Sequence, residues 1–133
     1  MNILTVRAWV DPAVDAHGIP AFSLDAELFW LPLIGPTSLL LGRRLVLWLG
    51  QNDGPVMVSP DVVGAMLGVS PAICRRSLDR LRDFRLLRQI DDTVWIRRMW
   101  GRLTERQVDG LPELLRASWR LESDHLAPAH VAS

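Results

Sequence analysis

Val58-Ser59-Pro60-Asp61-Val62-Val63-Gly64-Ala65-Met66-Leu67-Gly68-Val69-Ser70-Pro71 decides how this chain is read. It contains serine followed by proline twice, with a glycine between. Serine caps a helix because its hydroxyl accepts from a free amide of the first turn. Proline suits the first helical position, where no N–H is needed. The stretch therefore predicts one helix from Pro60 to about Leu67, with Val62, Val63, Met66 and Leu67 inward. Gly68 breaks it, and a second helix runs from Pro71 to about Phe84. At about 100° per residue, Cys74, Ser77, Leu78, Leu81 and Phe84 fall on one side of that second helix. Ala72, Arg75, Arg76 and Asp79 fall on the other, with Arg80 and Arg82 flanking.

After this pair, Leu86–Ile90 and Thr93–Arg97 read as two strands joined tightly by Asp91-Asp92. Before it, Pro55–Ser59 is too short for a helix and reads as a strand. Thr37–Leu49 reads as a long helix that is apolar almost all round and so must be covered on more than one side. Met1–Val10 reads as a strand or extended arm, with Leu4, Val6, Ala8 and Val10 on one face. Asp11–Pro20 is a loop. Ser23 caps a short helix over Leu24–Leu31 that ends near Pro32. Gly101–Gly110 carries little signal, Pro112–Leu126 reads as a final helix with Leu114, Leu115, Trp119 and Leu121 inward, and Ala127–Ser133 reads as a disordered tail. The expected organisation is an N-terminal arm and short helix over 1–36, a core domain over 37–98, a helical extension over 99–126 and a tail over 127–133. The fold class is mainly α with a small β-hairpin.

Composition narrows the function. The chain has 133 residues, about half of them apolar, and a formal net charge of zero. That charge is unevenly spread: Arg75 to Arg106 holds ten arginines against five acids, and no lysine occurs anywhere. Such a basic third can present a face to phosphates even in a neutral protein. The apolar stretch Leu28–Leu49 fails as a membrane span, because Pro32, Gly35 and Pro36 interrupt it and Arg43 and Arg44 lie inside it. Cys74 is the single cysteine and, on the inward helix face, reads as an inert core residue. His17, His125 and His130 lack ligand spacing, and no phosphate loop or nucleophile motif is present. No cofactor, metal or catalytic residue is expected. The six tryptophans read as core or interface anchors ahead of stacking platforms, with Trp95 beneath the hairpin.

The order helix, strand, helix, glycine turn, helix, hairpin is that of a winged helix-turn-helix. Val58–Pro71 resembles the helix-turn-helix of bacterial winged-helix regulators. Arg75-Arg76-Ser77-Leu78-Asp79-Arg80-Leu81 is similar to the recognition-helix pattern of MarR-like regulators, and Leu86-Leu87-Arg88-Gln89-Ile90 continues it. Asp83-Phe84-Arg85 stands where those families often have a Glu-x-Gly turn, so the glycine is missing. Phe29-Trp30-Leu31-Pro32-Leu33-Ile34-Gly35-Pro36 and Gly110-Leu111-Pro112 also resemble small uncharacterised winged-helix proteins of actinobacteria.

The resemblance implies a cytoplasmic, nucleoid-associated protein that binds double-stranded DNA and regulates transcription by occupying a promoter or operator. Arg75, Arg76 and Arg80 are the expected main contacts, on a face that includes Ala72. Ser59 or Ser70 adds a backbone contact, and Arg97 or Arg98 a contact beside the wing. The competing reading is a solvated face of weak arginine–aspartate pairs, since Asp79 lies at its centre. Excess apolar surface predicts a homodimer through Trp30, Leu40, Trp48, Leu114, Leu115, Trp119 and Leu121. Two other functions stay open. One is a protein-interaction module on the same scaffold, favoured by the neutral charge and acidic wing turn. The other is an architectural or plasmid or phage replication protein that binds DNA.

Overall fold

A computed structural model describes residues 3–52 and 54–132, with side chains as far as Glu122. The first strand, β1 (Leu4–Ala8), is followed by α1 (Pro12–Asp15) and β2 (Ile19–Pro20). A π-helical turn over Ala26–Trp30 leads into α2 (Leu31–Ile34) and α3 (Pro36–Gln51). Then come β3 (Val56–Val58), α4 (Pro60–Met66), α5 (Pro71–Asp83), the hairpin strands β4 (Leu87–Ile90) and β5 (Thr93–Ile96), and β6 (Met99–Trp100). Helices α6 (Glu105–Asp109) and α7 (Glu113–Ala132) complete the chain. The segment from Ala127, expected to be a disordered tail, is helical as far as Ala132; Ser133 lies outside the described residues.

The architecture is mixed α/β, a correction to the mainly α expectation. Four strands form one sheet in the order β3-β1-β5-β4, and β2 pairs with β6 in a second. The N-terminal segment causes the difference. It is no detached arm: β1 lies between β3, to which it is antiparallel, and β5, to which it is parallel. Leu4 and Val6 point inward as the alternation predicts, whereas Val10 lies beyond the strand and is exposed. Residues before position 37 supply Leu4, Val6, Ile19, Phe29, Trp30 and Ile34 to the same core as Leu41, Leu81, Val94 and Trp100, so no core boundary falls at position 36.

The short helix, expected over Leu24–Leu31 with its end near Pro32, continues through the proline to Ile34. Ser23 Oγ accepts from the Ala26 amide at 3.1 Å, as a cap should. The π turn then widens the helix just before the proline. A proline lacks the N–H and crowds the carbonyl four residues back, and a wider turn accommodates both. The same turn buries Phe29 and Trp30 together. Gly35, at φ 84°, stops the helix, and Pro36 starts α3. Helix α3 buries Leu39, Leu41, Leu45, Val46 and Leu49, but Leu40 and Leu47 are exposed. Trp100 lies against Gly42, where a Cβ would stand 3.0 Å from the indole Cζ2. The missing side chain lets the ring seat on the helix.

Two helix ends share one geometry. After α4, Val69 N donates to Gly64 O at 2.9 Å and Gly68 N to Ala65 O at 3.1 Å, with Gly68 at φ 74°. After α5, Leu86 N donates to Leu81 O and Arg85 N to Arg82 O, both at 3.0 Å, with Arg85 at φ 59°. Both are Schellman stops, which need a left-handed residue just past the helix. Arg85 occupies the glycine seat of the second, so the chain keeps the turn without the glycine.

Arg97 is 8% exposed and fully engaged inside the fold. Its Nε donates to Arg85 O at 2.8 Å, its Nη1 reaches Asp11 Oδ2 at 3.3 Å, and its guanidinium lies 3.6 Å from the Trp9 ring centre. It ties the end of α5 to the segment after β1. The C-terminal elements are held similarly: a capping box at Thr104 and Gln107 starts α6, and Trp119 packs edge-on against Phe29 at 5.0 Å.

Two outcomes follow for urea denaturation. Arg85→Gly should raise the unfolding free energy by about 1 kcal/mol by relieving a left-handed arginine, and Arg85→Val should lower it by about 1–2 kcal/mol. Arg97→Ala should cost about 2–3 kcal/mol, since it empties a buried clamp and removes the donor to the Arg85 carbonyl and the partner of Asp11; Arg97→Lys should not restore it, because an ammonium lacks the planar fork that spans them.

Candidate nucleic-acid interface

Helix α5 is built as its sequence requires. Ser70 Oγ accepts from Ile73 N at 3.3 Å, and Pro71 opens the helix. Cys74, Ser77, Leu78 and Leu81 are buried, and Phe84 is half-buried at the C-cap, edge-on to Trp30. Packing against α3 and α4 fixes this face, and Ser38 Oγ donates to Ser77 O at 3.2 Å. Burial pushes the Cys74 thiol above its ordinary pKa; Arg75 opposes this and Asp61 adds to it. A buried thiol held protonated is a poor nucleophile.

Ala72, Arg75, Arg76, Asp79 and Arg80 are exposed on the other side of α5. Their charges are partly spent. Arg75 Nη2 meets Asp61 Oδ1 at 3.1 Å, Arg82 pairs with Asp79, and Arg82 Nη1 also donates to Gln89 Oε1 at 3.2 Å. Arg80 Nη2 donates to Leu33 O at 3.2 Å. Arg76 enters no ion pair among the described residues. The Arg75–Asp61 and Arg82–Asp79 pairs border an open hollow of about 490 Å³ between α4, α5 and β4. Exposed pairs of this kind contribute little to stability and exchange readily for other anions. Asp61, in the first turn of α4, was missed as a member of this surface. Its signal was local: an acid beside a helix start, on the helix preceding the arginines.

The other expected contacts divide. Ser70 is exposed at the α5 cap, whereas Ser59 is largely buried, at the hollow between α3, β3 and α4 rather than on the α5 face. Arg98 is exposed, whereas Arg97, expected as a contact beside the wing, is the internal clamp between Arg85 and Asp11 and does not face outward. Trp95 is not beneath the hairpin; it lies half-buried on the opposite side of the sheet from Val94 and Ile96.

The expected dimer residues divide as well. Trp30 is 3% exposed, donates to Gly101 O at 3.1 Å and meets Trp100 edge-on, so it belongs to the core of its own chain. Trp119 is likewise buried, against Phe29 and beneath Arg102. Leu115 is half-buried against the core, and Trp48 is half-buried with Arg44 over its ring at 5.9 Å. Leu40, Leu114 and Leu121 are exposed.

Among the described residues no cluster of histidine, cysteine and carboxylates could hold a metal, and no helix is long and apolar enough to cross a membrane. No family model and no curated protein matches the chain. A solved structure does: residues 1–300 of the primosome protein DnaB from Geobacillus stearothermophilus, at 17% identity and a TM-score of 0.55. The match covers 94% of this chain and 50% of that one, so this chain spans half the length of the structure it resembles. At that identity the likeness speaks for the fold.

Proposed function

We propose that this chain is a winged helix-turn-helix protein that binds double-stranded DNA through α5 and acts by occupying a promoter or operator. The observation that carries the reading is the exposed face of α5, where Arg76 stands outside every ion pair among the described residues and Arg75 and Arg80 flank it. Supporting it is the order α3, β3, α4, glycine turn, α5, hairpin, which is that of bacterial winged-helix regulators of the MarR-like pattern. A recognition helix lies in the major groove with its N-terminal half near base edges, where Ala72 allows close approach. Phosphates would take over Arg75 from Asp61, since an exposed pair is easily displaced. The hairpin tip, Asp91-Asp92, repels phosphate and keeps this wing out of the grip, leaving Arg98 as the flanking cation.

The likeness to a primosome protein favours a second use of the same DNA surface, in replication rather than regulation. Footprinting separates them: regulation needs protection of one sequence, whereas an architectural role gives none. A protein-binding reading draws on the apolar hollow of about 310 Å³ between α3, β3 and α4, where Trp48, Met57, Val62 and Met66 meet.

In electrophoretic shifts at low and moderate salt, the chain should retard duplex DNA with affinity falling as salt rises. Arg76→Ala should cost roughly 1–3 kcal/mol and relax preference at one base if it reads a base edge. Unchanged binding by the folded Arg75→Ala, Arg76→Ala, Arg80→Ala triple variant would falsify this surface.

The proposed protein acts as a homodimer, with exposed Leu114 (82%) and Leu121 (65%) of α7 on the seam. They lie seven residues apart, the spacing of a helix-pairing stripe. Light scattering should give twice the chain mass, and Leu114→Glu with Leu121→Glu should halve it while leaving the circular dichroism unchanged. A single-chain mass for the unaltered protein defeats the pairing.

A further inference from the structure

The four-stranded sheet has two faces. Leu4, Val6, Leu87, Val94 and Ile96 point into the core, where α3 lies against β1 and β5. The alternate positions point the other way: Thr5 and Arg7 on β1, Thr93 and Trp95 on β5, Arg88 and Ile90 on β4. These six outward positions carry no carboxylate.

Strand register makes a row of them. Arg7 pairs with Trp95 across β1 and β5, and Trp95 with Arg88 across β5 and β4. The Arg88 guanidinium lies 4.7 Å from the Trp95 ring centre and 5.5 Å from that of Trp9. With Arg97 on Trp9, the series alternates ring, cation, ring, cation, and each ring is held by its neighbour. At the Trp95 end, exposed Arg7 and Arg98 join that indole around a hollow of about 250 Å³.

We infer that this outer sheet face binds single-stranded nucleic acid, with a base stacking at Trp95 and its phosphates meeting Arg7 and Arg98. The chemistry is that of a stacking platform: an aromatic surface takes any base, and cations track the backbone. A duplex keeps its base faces hidden, so a half-exposed indole selects an unpaired strand. The ladder fixes the ring before the ligand arrives, which lowers the entropy lost on binding. The site uses none of the α5 arginines and shares only Arg98 with the surface proposed for duplex DNA.

The test is fluorescence anisotropy of end-labelled oligothymidylate and oligouridylate on the full chain, with salt titration. Binding of either strand is expected; tighter binding of oligouridylate assigns RNA, and of oligothymidylate single-stranded DNA. Trp95→Ala should weaken binding roughly 5- to 150-fold, with the circular dichroism unchanged. Arg7→Ala with Arg98→Ala should reduce the logarithmic salt slope by about 1.4. The α5 triple variant should bind single strands as the parent does. Failure of the parent to bind either strand at micromolar concentration and low salt overturns the inference. So does parental affinity in a folded Trp95→Ala chain. Should that variant not fold, an unchanged salt slope in the arginine double variant overturns it instead.

Discussion

The pairing of β1 between β3 and β5 is the constraint on which the rest of this structure depends. Without it, β3 would have no partner and the hairpin would stand alone, and a two-stranded ribbon is marginal in water. The inserted strand brings Leu4 and Val6 under α3 and carries the chain to Trp9 and Asp11, where Arg97 is held. Through Arg97 it also fixes the carbonyl of Arg85, and so the stop of α5. One strand therefore sets the floor beneath the long helix and the angle at which the exposed arginines leave the surface.

The arginines show why charge counted along a sequence differs from charge on a surface. The basic third of the chain reads as a cationic face, yet the fold distributes its members. Arg97 is internal, Arg75 and Arg82 face carboxylates, and Arg88 lies between two indoles. Arg76 and Arg98 are left as the least engaged of the expected contacts. Burial and pairing, which depend on distant residues such as Asp11 and Asp61, decide which cations are available to a ligand.

Local chemistry was legible in the sequence. Ser70-Pro71, Gly68 and the Asp91-Asp92 turn each announce their structure within a few residues, and α4, α5 and the hairpin lie within a residue or two of where they were read. Non-local pairing was not. Nothing in Ile19-Pro20 announces Met99-Trp100 as its partner, and nothing in β1 says that it inserts beside β5. Pro32 misled because a proline ordinarily ends a helix, and the π turn that absorbs it leaves no simple periodic mark. The fate of the tryptophans was equally hidden. Trp30 and Trp119 are apolar mass wherever they fall, and only tertiary packing separates core from interface. Part of the outer sheet face could have been found, since the alternation that sends Val6 inward also sends Arg7 outward.

The parallel partnership of β1 has a kinetic consequence. Val6 can meet Val56 as soon as α3 has formed between them, but its other edge must wait for Val94. Until the hairpin arrives, β1 exposes a row of unsatisfied amides and carbonyls on an apolar strand. Contacts this distant in sequence close slowly, because the entropy of the intervening loop is lost before any pairing offsets it. During synthesis, everything up to the hairpin would leave the ribosome as a half-built sheet with one open edge. That interval is when the open edge of β1 is most prone to take up a strand from the wrong chain.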